Sequence, residues 1–169
     1  MKIFINDANV LIDLVELDLV SEFASLPYEL HTTDFVLNEI NEEQKIKIFP
    51  ITEANKLNVI LSDIVDLGKI NDLLKLARGL SFEDCSVWYY SKKMNGILVT
   101  GDGKLRKTAQ KDGIEVRGSI FILDELLKYE LISFSIAIEK IRLLYELNNR
   151  LPENELDKRI ELWNNNIHA

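Results

Sequence analysis

The chain predicts an α/β domain with a short parallel sheet, followed by a helical extension. Three observations carry that expectation. Short runs rich in Ile, Val and Phe alternate with longer stretches whose apolar residues recur at helical spacing. Single acids or hydroxyl residues stand where strand gives way to helix, as at Asp7 and at Thr33-Asp34. Beyond Arg117 the pattern is helical only. Alternation of this kind is the mark of βαβ units.

The elements follow in order. Lys2 to Asn6 is a strand stopped by Asp7, and a helical pattern begins at Asn9 through Val10, Leu11, Leu14 and Val15. Pro27 marks a turn before a second strand, Glu29 to Thr32. Thr32-Thr33-Asp34 starts a helix over Phe35 to Ile40. Lys47 to Ile51 is the third candidate strand, although Pro50 cannot donate to a ladder. From Thr52 to Ala77 the spacing predicts a helix interrupted near Gly68. Ser81 to Met94 is a helix closed by Asn95-Gly96, and Ile97 to Thr100 is a strand with the apolar run of a buried one. Asp102 to Lys111 is a helix stopped by Asp112-Gly113, Ile114 to Arg117 a short strand, and Ser119 to Lys128 a helix. Ser133 to Asn149 and Pro152 to Trp163 complete the tail, with Pro152 suited to a first helical turn. The expected division is a domain over 1–130 and a helical extension over 131–169, packed on the domain or on a partner.

Composition excludes several classes. At 169 residues the chain can build one core without disulfides or a structural metal. One cysteine, Cys85, and two histidines, His31 and His168, leave no thiolate cluster and little room for histidine chemistry. No uncharged run approaches the roughly 20 residues that span a bilayer. The first residues lack the long apolar stretch of a signal peptide. The expected location is the cytoplasm, with no membrane association. The net charge of −8 argues against a simple basic nucleic-acid binder. That charge is uneven: residues 92–117 carry +4 and the remainder −12.

In an open α/β sheet, ligands bind beyond the carboxyl ends of the strands, at the point where strand order reverses. Asp7 ends the first strand, and Asp102 follows the Ile97 strand. Glu39 lies in the helix after the second strand, and Asp84 in the first turn of the Ser81 helix. Carboxylates converging on one cleft repel each other unless cations sit between them, and such all-oxygen sets suit hard ions such as Mg²⁺ or Mn²⁺. Each acid also has a structural reading. Asp7 and Asp102 could be helix caps, Asp84 the reaching member of a capping box begun by Ser81, and Glu39 part of a solvated face.

Taken together, the motifs resemble the PIN-domain family, metal-dependent ribonucleases with a Rossmann-like fold. The matching stretches are Phe4-Ile5-Asn6-Asp7-Ala8-Asn9-Val10-Leu11, Val36-Leu37-Asn38-Glu39-Ile40, Leu80-Ser81-Phe82-Glu83-Asp84-Cys85 and Ile97-Leu98-Val99-Thr100-Gly101-Asp102-Gly103-Lys104-Leu105. Gly113 to Gly118 looks like the usual last strand. The order spans roughly residues 1 to 127, leaving the tail from Ser133 outside it. The resemblance implies a three-layer α/β/α fold and an acidic metal-binding and catalytic set of Asp7, Glu39, Asp84 and Asp102. It makes Asn9 and Thr100 positioning groups behind that set. It further implies an RNA substrate, a homodimer, and, as in the VapC-like toxins, a cognate antitoxin that blocks the site. Two departures stand out: Ala8 replaces a frequent Thr or Ser, and Leu105-Arg106 occupies a stretch where many members carry another acid.

Lys104, Arg106 and Lys107 are candidate RNA contacts, since a phosphate backbone needs cations near Asp102. A solvated helix face is the plainer reading of the same run. Trp88, one turn beyond Asp84, is a candidate for base stacking, with burial in the helix packing as the structural alternative. Two rival functions remain open in the sequence. A haloacid-dehalogenase-like phosphatase would use Asp7 as nucleophile and form an acyl-phosphate there. However, Asn9 stands where its general acid belongs. A non-catalytic module would keep the fold and use the acids as caps only.

Overall fold

The computed structural model describes residues 1–148 and 151–168. The expected final residue of the Ser133 helix, Asn149, lies outside them. Five parallel strands form one sheet in the order β3-β2-β1-β4-β5: β1 (Ile3–Asn6), β2 (Glu29–Thr33), β3 (Leu57–Ile60), β4 (Ile97–Val99) and β5 (Val116–Arg117). The chain winds outward from β1 to β3, then returns across the sheet to start β4 on the other side of β1. Strand order therefore reverses between β1 and β4, where Phe4 aligns with Ile97 and Asn6 with Val99. Both strands are covered on both faces, which is why Phe4, Ile5, Leu98 and Val99 have no exposed surface.

The helices form the outer layers. On one face lie α1 (Ala8–Glu16), α2 (Val20–Ala24), α4 (Glu42–Glu53) and α8 (Ser119–Lys128). On the other lie α5 (Ile64–Leu76), α6 (Phe82–Lys93) and α7 (Gly103–Lys111). The short α3 (Asp34–Glu39) follows β2 directly and packs on α6. The result is the three-layer α/β/α architecture with a helical tail. In the tail, α9 (Phe134–Leu147) packs on α8 and α10 (Glu153–Ile167) packs on α9. Trp163 is buried, and Arg159 reaches Asp124 of α8 at 3.0 Å. Pro152 is the residue before α10 rather than in its first turn.

Two expectations are corrected. Lys47 to Ile51 is not a strand but the second half of α4. A capping box starts that helix: the Gln44 amide donates to the Asn41 side chain at 2.9 Å, and the Asn41 amide donates to the Gln44 side chain at 3.2 Å. The apolar residues then bury at a spacing of three, Ile48 and Ile51, while Ile46 and Phe49 stay exposed. Pro50 is carried inside the helix. The stretch from Thr52 to Ala77 is likewise not one interrupted helix. Asn55, at a left-handed φ of 55°, turns the chain out of α4, and Leu57–Ile60 then pairs with β2 as the edge strand. Gly68 lies inside an unbroken α5, whose start is capped by Asp63 accepting from the Asp66 amide at 2.8 Å. Asp66 itself is buried and accepts from Tyr89, Tyr90 and Lys93, fastening α5 to α6.

Candidate active site

The four acids named from the sequence gather at the carboxyl end of the sheet, over the reversal between β1 and β4. Asp7 is at the centre and almost fully buried. Its amide donates to the Val99 carbonyl at 3.0 Å, which ties it to β4. One carboxylate oxygen accepts from the Ala8 amide at 2.8 Å, capping α1. The other accepts from the Thr100 hydroxyl at 2.7 Å and from the Asn9 amide nitrogen at 3.1 Å. Asn9 uses its oxygen as well, accepting from the Gly101 amide at 2.8 Å. The Thr100 oxygen in turn accepts from the Asp102 amide at 3.1 Å. Asn9 and Thr100 thus stand behind Asp7 and join the β1 and β4 ends. Ala8 is buried at the start of α1 and offers no hydroxyl.

Asp84 and Asp102 reach the cluster from helix starts. Asp84 completes a capping box on α6, accepting from the Ser81 amide at 2.9 Å while its own amide donates to the Ser81 hydroxyl at 3.0 Å. Asp102 caps α7 by accepting from the Leu105 amide at 2.7 Å. The structural reading of these three acids is therefore correct, and compatible with a site. The starts of α1, α6 and α7 all point into the cluster, and their positive dipole ends offset part of its charge.

The offset is incomplete. Burial pushes the Asp7 carboxyl up to about 6, against the hydrogen bonds from Thr100 and Ala8, and the charges of Asp84 and Asp102 push the same way. Glu39, at the exposed end of α3, is pushed up to about 7 by desolvation and by Glu83, Asp7 and Asp84. Asp84 is raised by burial, with Asp102 and Glu83 adding to it. Asp7 and Asp84 thus feel each other and Asp102, and Glu39 feels Asp7 and Asp84. Among the described residues, no group of three or more His, Cys, Asp or Glu is gathered tightly enough to hold a metal ion as the side chains stand. The donor set is nonetheless the all-oxygen, electron-rich kind that a hard divalent cation neutralises. Its mutual repulsion is what a cation would relieve.

Glu83 joins this field and was not singled out in the sequence. It precedes Asp84 in the first turn of α6, and its charge raises the pKa of both Glu39 and Asp84. The adjacent Glu-Asp pair was its signal.

The remaining expectations divide. Lys104 and Lys107 are exposed on α7 near Asp102. Arg106 turns inward, half-buried, and donates to the Thr100 carbonyl at 3.3 Å. Leu105 is buried in the core, so no further acid is offered from that stretch. Trp88 does not present a face for stacking: it is 7% exposed, and its indole nitrogen donates to Asp112 at 3.0 Å. Core packing decides its role because it lies on the side of α6 turned toward α7.

A family model described as a PIN domain matches residues 3–165. The chain belongs to the PIN-domain family. The match runs through α9 and through most of α10, the tail that the motif resemblance leaves out. Among solved structures, PAE2754 from Pyrobaculum aerophilum is similar at 16% identity and a TM-score of 0.53, over 75% of this chain and 98% of that one. VapBC-1 from nontypeable Haemophilus influenzae is 22% identical with a TM-score of 0.47, over 69% of this chain and 98% of that one. VapBC2 from Rickettsia felis, bound to a DNA fragment from their promoter, is 12% identical with a TM-score of 0.48, over 69% of this chain and 98% of that one. No curated protein matches the chain.

Proposed function

We propose that the chain is an endoribonuclease that depends on a divalent cation, Mg²⁺ or Mn²⁺, held by Asp7, Glu39, Asp84 and Asp102. The observation that carries this reading is the approach of Asp84 and Asp102 to the buried Asp7 at the sheet's reversal point, with Glu39 at their edge, in a chain of the PIN-domain family. A bound cation would supply a water of lowered pKa and shield the charge that develops on the phosphate. Asp7, fixed by Thr100, Asn9 and Ala8, sets the geometry of the set. Asp84 and Asp102 are held by their helix starts and cannot drift from it. Glu39 sits at the exposed edge, where desolvation and the charges of Glu83, Asp7 and Asp84 make a counter-cation favourable. Lys104 and Lys107 line the approach of the RNA backbone.

The reading extends to biology. We take the protein to be the toxin of a toxin–antitoxin pair, a cytoplasmic homodimer whose antitoxin would cover the carboxylates with a basic side chain. Residues 1–130 form the nuclease domain and 131–169 its helical extension. No helix among the described residues is long and apolar enough to cross a membrane.

The test is cleavage of a single-stranded RNA with Mg²⁺ or Mn²⁺ added. Asp7→Asn should abolish it, and EDTA should stop it reversibly. Undiminished cleavage by the variant would refute the assignment of the site. Appearance of an acyl-phosphate on Asp7 would instead favour phosphatase chemistry.

A further inference from the structure

Beside the acidic cluster lies a cavity of about 470 Å³, between the Gly101–Gly103 turn, the end of β5 and the start of α8. Three arginines line it: Arg106 from α7, Arg117 from β5 and Arg159 from α10, the last engaged by Asp124 and Glu155. Arg106 follows Asp102 by one helical turn, so both lie on one face of α7. Its guanidinium is half-buried, yet among the described residues its one hydrogen bond is the 3.3 Å contact to the Thr100 carbonyl, and it forms no ion pair. A cation withdrawn from water is ordinarily matched by a carboxylate. Arg106 has none among the described residues: burial lowers its pKa, and the charge of Arg117 adds to the effect.

The acids on the cavity wall are engaged elsewhere. Glu155 pairs with Arg159 at 3.5 Å, and Asp13 accepts from the Ser119 hydroxyl at 2.8 Å. Arg117 bonds Glu115 at the exposed surface at 3.0 Å and lies over the Phe121 ring at 5.3 Å. Gly118 keeps the space open: a Cβ there would stand 2.8 Å from the Arg106 Nη2. The first turn of α8 carries no side-chain cap, so its amides add to the positive field.

We infer that this cavity is a subsite for an RNA phosphate next to the one that is cleaved, with Arg106 and Arg117 as its cationic walls. The inference rests on the nuclease reading above. It follows from the charge problem of the site itself. A cluster of carboxylates repels the rest of a polyanionic substrate, so the neighbouring linkages need their own cations. A guanidinium pair offers the bidentate geometry that a phosphate takes. The cavity stands directly beside Asp102, where the next linkage of a bound strand would pass.

The test measures binding separately from chemistry. In an Asp7→Asn background with Mg²⁺, a short 5′-labelled single-stranded RNA is titrated by fluorescence anisotropy. Arg106→Gln and Arg117→Gln should each weaken binding about tenfold and lower the salt slope by about one. Lys47→Gln, exposed on α4, should leave binding unchanged. Neutral methylphosphonates are then placed at one linkage at a time. One linkage should weaken binding to the parent by the same factor, with no further loss in Arg106→Gln. Arg106→Lys should recover part of the affinity, and the exposed Arg117 site supplies the same reading should Arg106→Gln fail to fold. Equal binding by all variants, equal sensitivity at every linkage, or no RNA binding at all overturns the subsite. Binding as described without cleavage by the native chain overturns the nuclease reading instead.

Discussion

Asp7 holds a charge that the fold does not favour. Its carboxyl is pushed up to about 6 by burial, above the ordinary value near 3.9. The folded state therefore binds more protons than the unfolded state between those values. Stability falls as pH rises through that window, and the full penalty persists above it. Asp7→Asn should raise stability at pH 8 by about 1–2 kcal/mol, since part of the relief is offset by two amide donors facing each other at Asn9. At pH 3 the gain should disappear. Urea melts at the two pH values measure it, and a gain equal at both would mean that the charge is not the cause. Stability conceded for a reactive arrangement is the general pattern at functional sites. Asp66 shows the opposite case. Bonds from Tyr89 and Lys93 lower its pKa, so its contribution is present above the ordinary carboxylate range and lost as pH falls through the lowered value. Asp66→Ala should cost about 2 kcal/mol at pH 7, because it leaves Tyr89 and Lys93 without this acceptor and strips one bond from the buried Tyr90.

At the scale of elements, the site is built from helix starts. Caps and candidate ligands are the same atoms at Asp7, Asp84 and Asp102. Ser81→Ala should cost about 1 kcal/mol in thermal or urea melts by uncapping α6. It should leave RNA cleavage by the folded protein unchanged, because the Ser81 backbone amide that holds the Asp84 carboxylate survives in alanine; a loss of cleavage beyond the loss of folded protein would mean that the hydroxyl also positions Asp84. This double use explains what was legible in the sequence. Strand-ending acids and the Ser81 box are local signals, readable without a fold, and they place Asp7, Asp84 and Asp102 at helix starts. α4 and β3 were misread for the converse reason. The short apolar stretch of Lys47 to Ile51 mimics a strand, and only the pairing of Leu57–Ile60 with β2 selects the true edge.

For the whole molecule, charge distribution governs behaviour. The net charge of −8 includes the four acids of the site, so a cation bound there relieves a global as well as a local repulsion. Millimolar Mn²⁺ should raise the melting temperature of the native chain, since binding to the folded state alone stabilises it. The rise should vanish in Asp7→Asn, and a rise of equal size in both would place the ion elsewhere. Sequence alone determined the α/β class, the alternation that makes the sheet parallel, and the acids at strand and helix boundaries, because these depend on local propensity and periodicity. Tertiary structure decided the rest. It set β1 beside β4, so that Thr100 and Asn9 clamp Asp7 across some ninety residues of chain. It brought Glu83 against Glu39, buried Trp88 beneath α7, and turned Arg106 inward to face Arg117. Those outcomes are contacts between distant segments, and no local pattern encodes which way a side chain turns once the layers close.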